Sequence, residues 1–396
     1  MNFTNITDFL DRITSPDTAR GRVYSCSRIP GCELIINFGG REVYHEVFGF
    51  ADIEEARPLR RGALYNLYSV SKVLTVVTAL TLVERGELLM SDPVSHYIPA
   101  FASMKVKRPD GSLADAEKPV LAGDLFAMTS GIDYNITSPS VLKLLEGNPN
   151  PTALEAACAV AGEPLAFEPG SRWMYGLSLD VLGGLTEAVT GMSFGDYMKK
   201  VLLDPAGMNE TYFDIPESRI KDRPSLYRCD DSAGAGRGIL NKIDIDTNEY
   251  RIAMSAQSGG AGLHSTADDQ IILARILTDM GKAPNGARIL SPETVRLMRE
   301  NRLCGILADD FTAFNPILFT GYGYGCGVRT LLNRTAAGSL SSVGEFGWAG
   351  AGGCYLLADP EAGLSVFYAQ QLLNSQEPYV HPRLRNMIYA SLSLTK

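Results

Sequence analysis

The stretch Leu67-Tyr68-Ser69-Val70-Ser71-Lys72 opens a long apolar run. From Ser69 to about Arg85 the run carries Val70, Val73, Leu74, Val76, Val77, Leu80, Leu82 and Val83. Those residues cover most faces of a helix, so the spacing predicts a buried one. Gly86 stands where the residue after a helix C-cap belongs. A serine and a lysine three apart project from the same helix face, within reach of each other. A serine in the first turn also feels the positive end of the helix, which favours an alkoxide. A lysine inside an apolar run is costly without a purpose. Burial and a cationic neighbourhood lower a lysine's pKa, which lets it act as a base.

The S-x-x-K spacing alone is weak, because it recurs at Ser140-Val141-Leu142-Lys143 and Ser218-Arg219-Ile220-Lys221. Both of those lie in polar, loop-flanked segments where a lysine is simply solvated. Ser69 and Lys72 differ through the apolar helix beneath them. The plain alternative for that pair is a capping serine with a snorkelling lysine.

Other chemistries find little support. The chain has no G-x-S-x-G and no P-loop. Gly321-Tyr322-Gly323-Tyr324-Gly325-Cys326-Gly327 is glycine-rich but reads as a strand. The four histidines, His45, His96, His264 and His381, do not pair at metal-ligand spacing. His45 and His96 read as structural or solvated, and neither a metal nor a cofactor is expected.

Composition sets wider limits. The chain is 396 residues long, 45% hydrophobic and 20% charged, as in an ordinary soluble globular protein. A net charge of −9 argues against nucleic acid or an anionic membrane as partner. No stretch approaches the roughly 20 apolar residues that span a bilayer. The start, MNFTNITDFLDRI, is acidic and lacks a secretory pattern, which predicts a cytoplasmic protein. The seven scattered cysteines (Cys26, Cys32, Cys158, Cys229, Cys304, Cys326 and Cys354) then read as buried free thiols. The expected partner is a small-molecule ester or amide; nothing in the sequence sets an oligomeric state.

Strand patterns sit near both ends of the chain. Cys32 to Ala51 reads as a hairpin turning at Phe38-Gly39-Gly40-Arg41. Tyr322 to Leu331 reads as one strand, and Phe346 to Ala358 pairs with Leu364 to Gln371 about Asp359-Pro360-Glu361-Ala362-Gly363. Helical patterns fill the middle at Ala153 to Val160, Leu177 to Thr190 and Gly195 to Leu203. Gly259-Gly260-Ala261-Gly262 leads to Ser265-Thr266-Ala267-Asp268, read as a capping box for a helix ending at Gly281. Ser291-Pro292-Glu293 opens another helix, and Pro382 to Leu392 is the last. The expected class is α/β (α+β): an antiparallel sheet flanked by helices and built from both termini, with an inserted helical lobe. The lobes are expected at 1–100 with 262–396, and at 101–261.

With these landmarks in place, Leu67-Tyr68-Ser69-Val70-Ser71-Lys72 resembles the first motif of class C β-lactamases and family VIII carboxylesterases, within the penicillin-binding-protein-like superfamily. Asp92-Pro93-Val94 and Tyr97-Ile98-Pro99 follow in the family's order. Met128-Thr129-Ser130-Gly131-Ile132 is similar to its H-T-S-G-L, with methionine for histidine. Phe167-Glu168-Pro169-Gly170 leads into Tyr175, the position of the family's catalytic tyrosine. Gly262-Leu263-His264-Ser265-Thr266-Ala267-Asp268 and Gly347-Trp348-Ala349-Gly350-Ala351 complete the series, which spans about 30–372.

The resemblance implies that Ser69 forms an acyl-enzyme and that Lys72 and Tyr175 share the proton transfers. It implies an oxyanion hole from the backbone N–H groups of Ser69 and Ala351. The glycine at 350 is read as letting substrate approach the strand. Trp348, Gly350, Leu177 and Tyr134 are the expected substrate contacts. Two departures bear on the substrate. Tyr175-Gly176-Leu177 lacks the asparagine of the β-lactamase second motif, and Trp348-Ala349-Gly350 replaces Lys-Thr-Gly with a neutral aromatic. A site without those polar partners loses the discrimination they provide. The expected activity is a carboxylesterase on small neutral esters. A β-lactamase, a D-aminoacyl amidase or peptidase, an acyltransferase and a non-turnover penicillin-binding sensor remain open alternatives.

Overall fold

The computed structural model describes residues 1–15, 26, 28–230, 232, 238–254 and 256–393. Its centre is an eight-stranded antiparallel sheet. Along the sheet the strands run Tyr322–Tyr324, Arg329–Leu331, Phe346–Ala349, Tyr355–Asp359, Leu364–Gln370, Gly31–Phe38, Arg41–Asp52 and Arg57–Pro58. The N-terminal hairpin therefore joins the C-terminal strands directly, with Leu34 opposite Tyr368 and Ile35 opposite His45. The turn falls at Gly39-Gly40, both at positive φ, where a side chain would be strained.

Strand alternation divides the sheet between two cores. Leu34, Ile36, Tyr355, Leu357, Val366 and Tyr368 pack with Ile6, Leu10 and Leu384. These last belong to the terminal helices Thr4–Thr14 and Glu377–Ser393. Ile35, Leu356, Phe367 and Ala369 face the larger core, which holds the helices Ser71–Glu84, Ser178–Thr190 and Ala267–Thr278. Both faces are covered, so the strand Gly31–Phe38 is buried at every position but its last.

Several boundaries differ from the sequence reading. Tyr322 to Leu331 is two strands, not one, because Gly325 N–H bonds to the Val328 carbonyl at 2.9 Å and Gly327 takes φ +67°. Phe346 to Ala358 likewise splits at Gly350–Cys354, where the Gly350 amide bonds back to Cys354 at 2.8 Å. The cap of Ala267–Thr278 is Thr266, which accepts from Asp269 N, and the helix stops three residues before Gly281. The segment at 195–203 is a short α-helix, Phe194–Met198, continued by a π-turn, Lys199–Leu203. The last helix begins at Glu377, because the Gln376 carbonyl accepts the first amides, and Pro382 falls inside it. Cys26, Cys32, Cys229, Cys326 and Cys354 are buried, but Cys158 and Cys304 are exposed.

Candidate active site

Ser69 lies in a 3₁₀ turn, Tyr68–Val70, that feeds the helix Ser71–Glu84. Tyr68 holds φ +47°, a conformation that side chains rarely adopt and that marks stored strain beside the serine. The helix then grips the glycine loop with three side chains from its first two turns. Ser71 Oγ accepts the Leu263 amide at 3.1 Å, Lys72 Nζ donates to the Gly260 carbonyl at 2.8 Å, and Thr75 Oγ1 donates to the Gly259 carbonyl at 2.7 Å. A Cβ on Gly259 would lie 2.3 Å from the Leu179 carbonyl, and one on Gly260 would lie 2.3 Å from Asp180 Oδ2. The loop threads between two helices only because it lacks side chains there.

Lys72 is fully buried, and its Nζ donates to Ser69 Oγ at 3.1 Å. The Asp180 carboxylate accepts from Ser258 Oγ and from the Gly260 amide, so it braces the loop whose carbonyl holds Lys72. Burial pushes the Asp180 carboxyl up, and the Lys72 charge acts against that rise.

Tyr175 covers the lysine from above, with Nζ 4.7 Å from its ring centroid and 5.6 Å from that of Tyr134. The Tyr134 and Tyr175 rings stack 5.9 Å apart. The loop at 128–133 positions the tyrosine. Met174 N–H bonds to the Met128 carbonyl at 3.0 Å and Leu177 N–H to the Asp133 carbonyl at 3.1 Å. Gly176 must be glycine, since a Cβ would sit 2.0 Å from the Ile132 carbonyl.

The third segment reaches the serine by backbone approach. A Cβ on Gly350 would lie 2.2 Å from the Leu67 carbonyl and 3.4 Å from Ser69 N. The glycine is therefore needed for contact between two chain segments, a requirement the sequence reading did not include. It also places Ala351 on the cavity that Ser69 lines.

That cavity measures about 470 Å³. Its wall beside Ser69 is aromatic: Tyr134, Tyr175, Tyr250, Phe314, Phe319 and Trp348. Its other lining includes Arg329, Tyr355, Glu377, His381 and Arg385. Of the expected substrate contacts, Tyr134, Trp348 and Gly350 line it. Leu177 does not; it precedes the helix Ser178–Thr190 and its side chain is packed in the larger core. Asp180, Phe314, Phe319, Arg329 and Arg385 were missed from sequence. Only Asp180 carried a signal, as a carboxylate at the start of an otherwise apolar helix.

Lys143, Ser218 and Lys221 are exposed, and none of them lines this cavity, nor does Ser140. Among the described residues no group of histidine, cysteine and carboxylate side chains could hold a metal ion.

The family model described as Beta-lactamase matches residues 14–391. The chain belongs to the beta-lactamase family. Within that family it is 29% identical over 334 residues to Protein Rv1367c of Mycobacterium tuberculosis, covering 82% of this chain and 81% of the relative. It is 28% identical over 361 residues to Esterase EstB of Burkholderia gladioli, covering 86% and 85%. Among solved structures it superposes on EstCE1, described as a hydrolase with promiscuous acyltransferase activity, with a TM-score of 0.74 at 25% identity over 91% and 94% of the two chains. This beta-lactamase-family chain thus has the fold of a group that includes esterases, acyltransferases and penicillin-binding proteins. No helix among its described residues is long and apolar enough to cross a membrane.

Proposed function

We propose that the protein is a serine carboxylesterase that works through an acyl-enzyme on Ser69. The observation that carries this reading is Lys72: a fully buried side-chain nitrogen 3.1 Å from Ser69 Oγ, beneath Tyr175, beside an aromatic cavity. A buried amine so placed is suited to take the serine proton.

Ser69 Oγ attacks the ester carbonyl carbon as its proton passes to the Lys72–Tyr175 pair. The backbone N–H groups of Ser69 and Ala351 receive the oxyanion. The bond to the alcohol oxygen then breaks, and the pair returns the proton to that leaving oxygen. Water attacks the acyl carbon by the same route in reverse, giving the acid and restoring Ser69.

Two features favour an ester over a β-lactam at the reacting centre. Trp348 stands where a cation would hold the antibiotic's carboxylate, and it spends its N–H on Tyr175. Leu177 stands where an asparagine would contact an amide, and it turns into the core.

The test is turnover of a short-chain aryl ester and of a chromogenic cephalosporin by the native protein and by Ser69→Ala, with mass spectrometry for an acyl adduct. Ester turnover that vanishes in Ser69→Ala, with an adduct of acyl mass, is the expected result. Turnover that survives the substitution would remove Ser69 from the mechanism. Faster cephalosporin turnover would remove the ester preference, and an adduct without turnover would favour a sensor.

A further inference from the structure

The lining of the Ser69 cavity is cationic where it leaves the aromatic wall. Arg329, on the strand Arg329–Leu331, and Arg385, on the last helix, are each only 4% exposed, and both line the cavity. Arg329 Nη2 donates to Glu345 Oε1 at 2.9 Å and to the Tyr355 hydroxyl at 2.7 Å. Glu345 Oε2 is taken by the Tyr322 hydroxyl at 3.1 Å. A tyrosine ring packs on both groups: Tyr322 lies 5.2 Å from the Arg329 guanidinium carbon and 5.4 Å from that of Arg385.

Among the described residues Glu345 is the only carboxylate in an ion pair with Arg329, and none is in an ion pair with Arg385. Asp359 is engaged by the Tyr389 hydroxyl and the Ser342 and Ala362 amides. Glu249 is paired with Arg228. Burial pushes the Glu377 carboxyl up to about 7, so about half of it is protonated in neutral solution, and it forms no ion pair with either guanidinium. Two guanidinium groups therefore share one carboxylate, Glu345. Arg329 Nη1 and Arg385 Nε have no hydrogen-bond partner among the described residues. An uncompensated buried cation is expensive, and an anion brought by a ligand offsets that cost. The guanidinium fork suits a carboxylate in particular.

We propose that this cavity takes esters bearing a carboxylate remote from the scissile bond, held by Arg385 and Arg329 while the apolar part lies on the aromatic wall. The proposal rests on the ester reading above and narrows it: the reacting group is neutral, but the substrate is an anion.

The experiment compares kcat/KM for matched pairs. Mono(4-nitrophenyl) glutarate against 4-nitrophenyl butyrate puts the carboxylate on the acyl side. 4-Acetoxyphenylacetate against its methyl ester puts it on the alcohol side. In at least one arm the carboxylate ester is expected to be preferred by about tenfold or more, and that ratio is expected to collapse in Arg385→Gln. No preference in either arm, or a ratio unchanged in Arg385→Gln, overturns the proposal. Should Arg385→Gln not fold, Arg329→Gln removes one guanidinium while leaving Glu345 to the other and is read in the same way. Titration calorimetry with 4-phenylbutyrate against 4-phenylbutyramide gives a readout independent of turnover. Carboxylate binding that Arg385→Gln removes upholds the subsite even if no ester is hydrolysed, in which case only the ester reading falls. Equal binding of acid and amide, or no binding of either, counts against the subsite itself.

Discussion

The indole N–H of Trp348 donates to the hydroxyl oxygen of Tyr175 across 3.2 Å, with the two rings 5.7 Å apart and inclined by 23°. This bond fixes the tyrosine oxygen while the same ring covers the Lys72 ammonium. Trp348→Phe keeps the stack and removes the donor. We expect kcat on an aryl ester to fall about tenfold, the size of one hydrogen bond that matters in the transition state. Thermal stability should hardly change. Steady-state kinetics beside a melting curve checks this; an unchanged kcat would leave the contact purely structural.

Lys72→Met separates catalysis from stability. The substitution preserves length and apolar packing but deletes the ammonium that donates to Ser69 Oγ and the Gly260 carbonyl. Loss of a proton-handling group should lower kcat by about 10²–10⁴-fold. Replacing a buried charge with an apolar side chain is often neutral or stabilising, so Tm is expected to hold or rise. A variant that keeps most of its turnover would show that Lys72 is a scaffold residue.

Gly350→Ala tests the backbone approach between the turn and the serine. Its Cβ would meet the Leu67 carbonyl at 2.2 Å, a backbone atom, so one of the two segments must shift. We expect a destabilisation of about 1–3 kcal/mol, with turnover down about 100-fold because the Ser69 and Ala351 amides would be displaced. Gly352→Ala is the control, since its Cβ meets side chains rather than backbone, the Tyr68 ring at 3.0 Å and Gln371 Nε2 at 3.6 Å. Denaturant melts and kinetics on both variants decide the matter, and equal effects would argue against a special role for position 350.

Buried titratable groups make stability depend on pH in two directions. Burial holds His264 and His381 down to about 3. Between about 6.5 and 3 the unfolded chain binds protons that the native histidines refuse, so stability falls on acidification through that window. Glu377 has the opposite sign: with its carboxyl pushed up to about 7, the native protein holds a proton that the unfolded chain releases near 4.5. Stability contributed by that proton is lost as pH rises from about 4.5 to about 7. Glu377→Gln does not titrate, so its Tm relative to the native protein should climb between pH 5 and 7 and level off above. A difference that is flat across that range would place Glu377 in contact with solvent.

Much of this architecture was legible because its signals are local. The Gly39-Gly40 turn requires positive φ, the helix Ser71–Glu84 is apolar on most faces, and Ser291 caps its helix with its own side chain. Those features depend on neighbours a few residues away. The misread segments were glycine-rich strands at 322–331 and 346–358, where a hairpin and a single strand have the same composition and only long-range pairing separates them.

By itself, the sequence determined the order of the elements, the mixed α/β class and the membership of the beta-lactamase family, since helix faces, caps and ordered motifs are written along the chain. Tertiary structure alone decided what surrounds Ser69. The Gly260 carbonyl that holds Lys72 comes from 188 residues away, and Gly350 meets Leu67 through backbone atoms that carry no side-chain signature. The fate of Leu177 and the meeting of Arg329 with Arg385 were decided there too. The physical reason is the same throughout: electrostatics and steric contact act through space, and residues remote in sequence share one cavity only after the sheet has brought the two ends of the chain together.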